Sequence, residues 1–136
     1  RAYVGAVLTH NGRAISWGFN GAPPGAPHCE DNAHGWADVD CGGFSVEESL
    51  TMNGCRNSVH AEANAIAFAA RQGISTEHAI LYVERTPCLS CAHLCIAAGI
   101  EAVVCATRYR DLVGEKALRL SAIPIYYITD EEEIDG

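Results

Sequence analysis

Apolar and polar positions change rhythm several times along the chain, and each change predicts an element. "YVGAVLT" is apolar and β-branched. "HNG" then supplies an Asn-Gly turn, and "RAISWGFNG" resumes the extended pattern, so the first twenty residues predict a β-hairpin. "GAPPGAP" cannot hold regular structure and must be a loop. Residues 28–57 are rich in Gly, Asp, Asn and Cys with weak periodicity. A structureless loop of that length is unusual in a compact domain, so it is either flexible or pinned, and its cysteines suggest a pin. Helical spacing begins near His60 and runs to residue 72, with Ser58 as a candidate N-cap and Gly73 as the stop. "AILYVE" predicts a strand. Thr86 then caps a helix with Pro87 at its first position, ending near Ala98 before Gly99. "AVVCA" predicts a strand, "LVGEKALRL" a short helix and "IPIYYI" a last strand, with the acidic "DEEEIDG" as a solvated tail.

The order β-β-loop-α-β-α-β-α-β predicts an α/β domain, a mixed sheet of about five strands with helices on both faces. No internal repeat or second domain is visible. The expectation is a single domain over 1–136 with a Cys-rich insertion at about 28–57 and an acidic C-terminal tail.

Composition narrows the function. The chain has 136 residues, 49% hydrophobic and 19% charged, which allows a sizeable core. Its net charge of −8 argues against a nucleic-acid partner, which needs a basic surface. A small anionic substrate needs only one or two well-placed cations. No apolar run is long enough for a membrane span, and no signal-peptide pattern opens the chain. The missing initiator Met leaves room for sequence upstream. Seven cysteines, in what is then expected to be a reducing, cytoplasmic compartment, read as metal ligands more readily than as disulfides.

Two segments concentrate the chemistry. His60 opens the first helical segment in "SVHAEANAI", and Cys88 and Cys91 open the second in "TPCLSC". Residues three apart on a helix share a face, so both sulfurs can reach one ion, and the positive end of a helix favours thiolates. One His and two Cys make three zinc ligands and leave a fourth position for water, the layout of a catalytic site. Glu62, two residues from His60, is badly placed as a ligand but well placed to take and return a proton of the metal's water. A His-x-Glu alone, or a Cys-x-x-Cys alone, is commonplace. Their conjunction, one strand apart and with Pro87 directly before Cys88, is the zinc deaminase signature, in which the Glu shuttles protons.

At these residues the sequence resembles the cytidine/deoxycytidylate deaminase superfamily. "GFNGAPPG" and "PHCED", with "AARQG", are similar to its deoxycytidylate (dCMP) deaminase branch, and the match runs from about Val4 to Tyr109. The resemblance implies a cytidine deaminase-like three-layer α/β/α sandwich on a five-stranded mixed sheet. It implies hydrolytic deamination of dCMP to dUMP and ammonia, supplying thymidylate synthesis, with water adding at C4 and Glu62 protonating N3. A backbone carbonyl near Thr86 or Pro87 would accept from the amino group.

By the same resemblance Asn20, Asn64, Tyr109 and Arg1 are candidate substrate contacts, and Arg71 is a candidate effector or subunit contact. Gly21 belongs to a loop whose N–H groups could meet effector phosphates. Cys29, Cys41 and Cys55 fall where some members hold a second, structural zinc, with His28 or His34 completing the set. A dCTP or dTTP effector with Mg²⁺, and a homo-oligomer (hexamer or dimer), are also implied. Cys95 and Cys105 read as core, His78 and His93 as surface. Two departures stand out: Glu84 replaces the usual Thr before the Pro-Cys motif, and the helix expected before Val4 is missing. The alternatives are a deaminase of another cytosine nucleotide such as dCTP, a tRNA adenosine deaminase, or a non-catalytic zinc-stabilised interaction domain. Charge disfavours the RNA substrate, and Glu62 disfavours the last.

Overall fold

Gly5–His10 (β1) and Arg13–Phe19 (β2) pair antiparallel across Asn11-Gly12. Both turn residues have positive φ, 52° and 77°. That is the two-residue hairpin geometry whose twist matches its strands, and it is why Asn-Gly was the signal. The computed structural model describes residues 5–21, 59–108 and 112–128. The chain divides into two compact units, residues 1–19 with 61–136, and residues 20–60. In the second unit the described residues include an antiparallel bridge between Gly21 and Val59.

In the larger unit β1 also pairs antiparallel with Ile80–Arg85 (β3). β3 pairs parallel with Ala102–Thr107 (β4), and β4 with Ile125–Tyr127 (β5). The strand order is β2-β1-β3-β4-β5, a five-stranded mixed sheet. Among the described residues three helices connect the strands: Ala61–Arg71 (α1), Leu89–Ala97 (α2) and Val113–Leu120 (α3). The α/β class and five-stranded mixed sheet expected from the alternation are therefore present; the alternation also predicted helices on both faces, and among the described residues only one face carries them. Each crossover moves the same way across the sheet, so the right-handed rule places all three helices on one face.

The register explains the burial. Ser16, Leu8, Leu81, Val103 and Ile125 form one row across the sheet and are all buried beneath the helices. The row one residue over, on the other face, is Trp17, Val7, Tyr82, Val104 and Tyr126. Among the described residues that face stays open: Trp17, Tyr82 and Tyr126 are exposed. Glu84 is exposed on this same face, so its departure from the family pattern is not aimed at the helices.

Both longer helices stop as their glycines predicted. Gly73 (φ 70°) and Gly99 (φ 79°) take the left-handed conformation. Ile74 N–H donates to Ala69 O (2.9 Å) and Gly73 N–H to Ala70 O (3.1 Å); Ile100 and Gly99 repeat the pattern onto Cys95 and Ile96. Each is a Schellman stop that satisfies the last carbonyls. Among the described residues no helix is long and apolar enough to cross a membrane.

Candidate active site

α1 lies unusually close to the sheet because its inner stripe is small. Ala61, Ala65 and Ala69, four apart, are at most 1% exposed. β2 meets them with Gly18, where a β-carbon would fall 2.6 Å from the Ala61 carbonyl oxygen and 2.5 Å from the Ala65 nitrogen. Ser16 Oγ donates to the Ala65 carbonyl at 2.6 Å, and Asn64 Nδ2 donates to the Phe19 carbonyl at 2.6 Å. The helix start is thus clamped to β2, and it carries Glu62 inward: the carboxylate is buried at 5% exposure.

The second helix start differs from its expectation in one respect. The N-cap of α2 is Cys88 (φ −68°, ψ 172°), not Thr86, and Pro87 precedes the helix. The Thr86 hydroxyl is engaged elsewhere, 3.2 Å from the Tyr127 hydroxyl. One consequence is that Cys88 and Cys91 occupy the N-cap and third helical positions, both in the turn where unpaired N–H groups favour negative charge.

His60, Cys88 and Cys91 form a group in which the ligand atoms all lie within 4.8 Å of one another. Two sulfurs and one imidazole nitrogen at that separation fit a tetrahedral zinc ion with one position left over. The electrostatics agree. The Cys91 thiol is pushed well above its ordinary value by its hydrogen bond with Cys88, by burial and by the Glu62 charge. Two sulfurs beside a carboxylate hold on to protons unless a cation takes the protons' place. Burial, then the Glu62 charge, raises Cys95 to about 12. Cys105 rises to about 11 through burial, against a hydrogen bond with Thr86 that lowers it. Both of these cysteines belong to the hydrophobic core.

Residues 1–107 match the family model for the cytidine and deoxycytidylate deaminase zinc-binding region. The chain belongs to this deaminase family. Deoxycytidylate deaminase of Enterobacteria phage T2 is 33% identical, the alignment covering 92% of this chain and 80% of the relative. That of Mycobacterium phage D29 is 38% identical over 76% of this chain and 77% of the relative. Among solved structures, dCMP deaminase from cyanophage S-TIM5 in complex with dCMP and dUMP shares the fold, with a TM-score of 0.71, 24% identity and coverage of 92% and 80%.

Other candidates of this deaminase-family chain are less concentrated. Asn20 is half-buried. The Gly21 N–H donates to the Val59 carbonyl at 3.0 Å. Arg71 is exposed in the last turn of α1. His78 and His93 are exposed, as expected. Arg1, His28, Cys29, His34, Cys41, Cys55, Ser58 and Tyr109 lie outside the described residues. Sequence reasoning missed Gly18 and Gly114, which admit close backbone approach. The signal for Gly18 was there: a glycine inside a strand pattern marks such an approach.

Proposed function

We propose that this chain hydrolyses dCMP to dUMP and ammonia, consuming one water. The observation that carries the reading is the His60, Cys88 and Cys91 donor set with Glu62 buried at the same helix start as His60. The relatives named deoxycytidylate deaminase support the choice of nucleotide.

His60, Cys88 and Cys91 would hold zinc, whose chemistry when bound is to bring the ionisation of a water to near neutral pH. Glu62 accepts that water's proton and delivers it to N3 of cytosine as oxygen adds at C4. The carboxylate then takes the proton of the hydroxyl added at C4 and passes it to the amino group, which leaves C4 as ammonia as the carbonyl of uracil forms. Burial of Glu62 suits this work, because a desolvated carboxylate is held near the atoms it serves and exchanges protons with them rather than with solvent. The carbonyl near Thr86 or Pro87 accepts from the leaving amino group.

The same reading extends to the remaining residues. Asn20, Asn64, Tyr109 and Arg1 would contact substrate, and His28, Cys29, Cys41 and Cys55 would hold a structural zinc. Gly21 and Arg71 would serve a dCTP or dTTP effector with Mg²⁺, or a subunit contact. Residues 1–136 would act as one deaminase domain in a cytoplasmic homo-oligomer (hexamer or dimer). The test is ammonia release from dCMP, dCTP, CMP, deoxycytidine and a tRNA anticodon stem-loop, with wild type and Glu62→Ala. Turnover of dCMP that vanishes in Glu62→Ala while zinc stays bound is expected. Zinc-loaded wild type that turns over no substrate on the panel would sink the reading.

A further inference from the structure

The first turn of α3 reaches the segment that carries Cys88 in two ways, one direct and one through intervening side chains. A β-carbon on Gly114 would run into the Pro87 carbonyl oxygen and fall 2.8 Å from the Cys88 carbonyl carbon. No side chain fits there, so the helix backbone rests directly on the Pro87–Cys88 peptide. Next to it, Glu115 is buried at 6% exposure. Its carboxylate meets Arg119 at 3.0 Å and Arg108 at 3.5 Å. The Tyr127 hydroxyl is 3.2 Å from Thr86 Oγ1, and the Arg108 guanidinium covers its ring at 4.7 Å.

Either hydroxyl of the Tyr127–Thr86 pair can be the donor, and Thr86 Oγ1 also reaches the Thr107 carbonyl at 3.5 Å. Thr86 is 2% exposed and its N–H also donates to the Thr107 carbonyl at 3.1 Å. Polar contacts thus run from buried Glu115 through Arg108 and half-buried Tyr127 to buried Thr86, two residues before Cys88. Such networks fix a unique geometry. None of these groups belongs to the donor set itself.

We propose that Gly114, Glu115, Tyr127 and Thr86 are positioning residues for Cys88: they set the backbone from which its sulfur reaches the metal. The proposal rests on the reading of His60, Cys88 and Cys91 as the metal ligands. It predicts that groups remote from the ion tune its binding, as outer hydrogen-bond partners of metal ligands do.

The experiment compares wild type, Tyr127→Phe, Thr86→Val, Thr86→Ser and Gly114→Ala. Each is titrated with zinc against a chelating dye, and each is loaded with cobalt to record thiolate-to-metal charge transfer. Melting of the metal-free proteins reports folding separately. Tyr127→Phe and Thr86→Val should each lose about tenfold in zinc affinity and shift the cobalt spectrum while still melting cooperatively. Thr86→Ser, which keeps the hydroxyl, should restore both. Gly114→Ala should lose more and weaken the charge-transfer band. Wild-type zinc affinity and cobalt spectra in both Tyr127→Phe and Thr86→Val overturn the proposal, even where Gly114→Ala does not fold. Wild type that shows the charge-transfer band but deaminates no nucleotide would defeat the proposed activity and leave the positioning role standing. Wild type with no such band would remove the metal reading and the positioning role together.

Discussion

Glu62 and Cys91 are both buried, each in the first turn of a different helix, and the charge of the carboxylate raises the pKa of the thiol. Replacing Glu62 with Gln therefore has two effects of opposite sign. Proton transfer is lost, and kcat should fall by about two to four orders of magnitude. Cys91 becomes easier to ionise, so zinc affinity at a given pH should hold or rise. Equilibrium dialysis beside an ammonia assay reads both. A fall in zinc affinity would make Glu62 a ligand instead.

Zinc binding must displace protons from two thiols, one of them held well above its ordinary value. Affinity should drop steeply as pH falls, and binding in weak buffer should release protons measurably by calorimetry. Removing the metal should lower the melting temperature without unfolding the larger unit, because Leu8, Leu81 and Val103 are buried independently of any ion. Saturation at one hundred times the dissociation constant is worth about 2.7 kcal/mol, and a chelator titration followed by calorimetry measures it.

Gly18 and Ser16 hold α1 to β2 by space and by a hydrogen bond respectively. Ser16→Ala should cost about 1 kcal/mol. Gly18→Ala forces two backbone atoms apart and should cost more, about 1–3 kcal/mol. Urea unfolding of the two variants separates the effects, and equal losses would show that the approach at Gly18 relaxes freely.

Glu115 supplies an acid-sensitive share of stability. Burial raises its carboxyl, but hydrogen bonds from Arg119 and Tyr127 and the charges of Arg108 and Arg119 outweigh this and hold it below its ordinary value. The folded form therefore keeps the charge where the unfolded chain has taken a proton. The stabilisation is full above the usual carboxylate range and is lost as pH falls through the lowered value. Glu115→Gln should be destabilised at pH 7 and converge on wild type in acid. Parallel stability curves at all pH values would contradict this.

Much of the fold was written in local signals. Asn11-Gly12, Gly73 and Gly99 each marked an end that physics leaves few ways to make. The metal group was legible because His60, Cys88 and Cys91 carry a spacing that few other chemistries use. Thr86 was misread as the cap because hydroxyls favour that position, whereas here a distant tyrosine on β5 competes for it. The tightness at Gly114 was unreadable for the same reason: it depends on which backbone arrives opposite, and strand order decides that.

Strand order also sets a timetable. The β1–β2 hairpin needs only its own turn and can form within microseconds. β1 must then find β3, with Ala6 opposite Val83, across the segment that contains the whole of α1. Closing so long a loop is the slow, entropically costly step. Cys88 follows β3 in the chain, so its thiolate reaches its final place only after that closure. Metal uptake is thus expected to lag behind hairpin formation and to report the completion of the sheet, which makes cobalt colour a clock for the last stage of refolding.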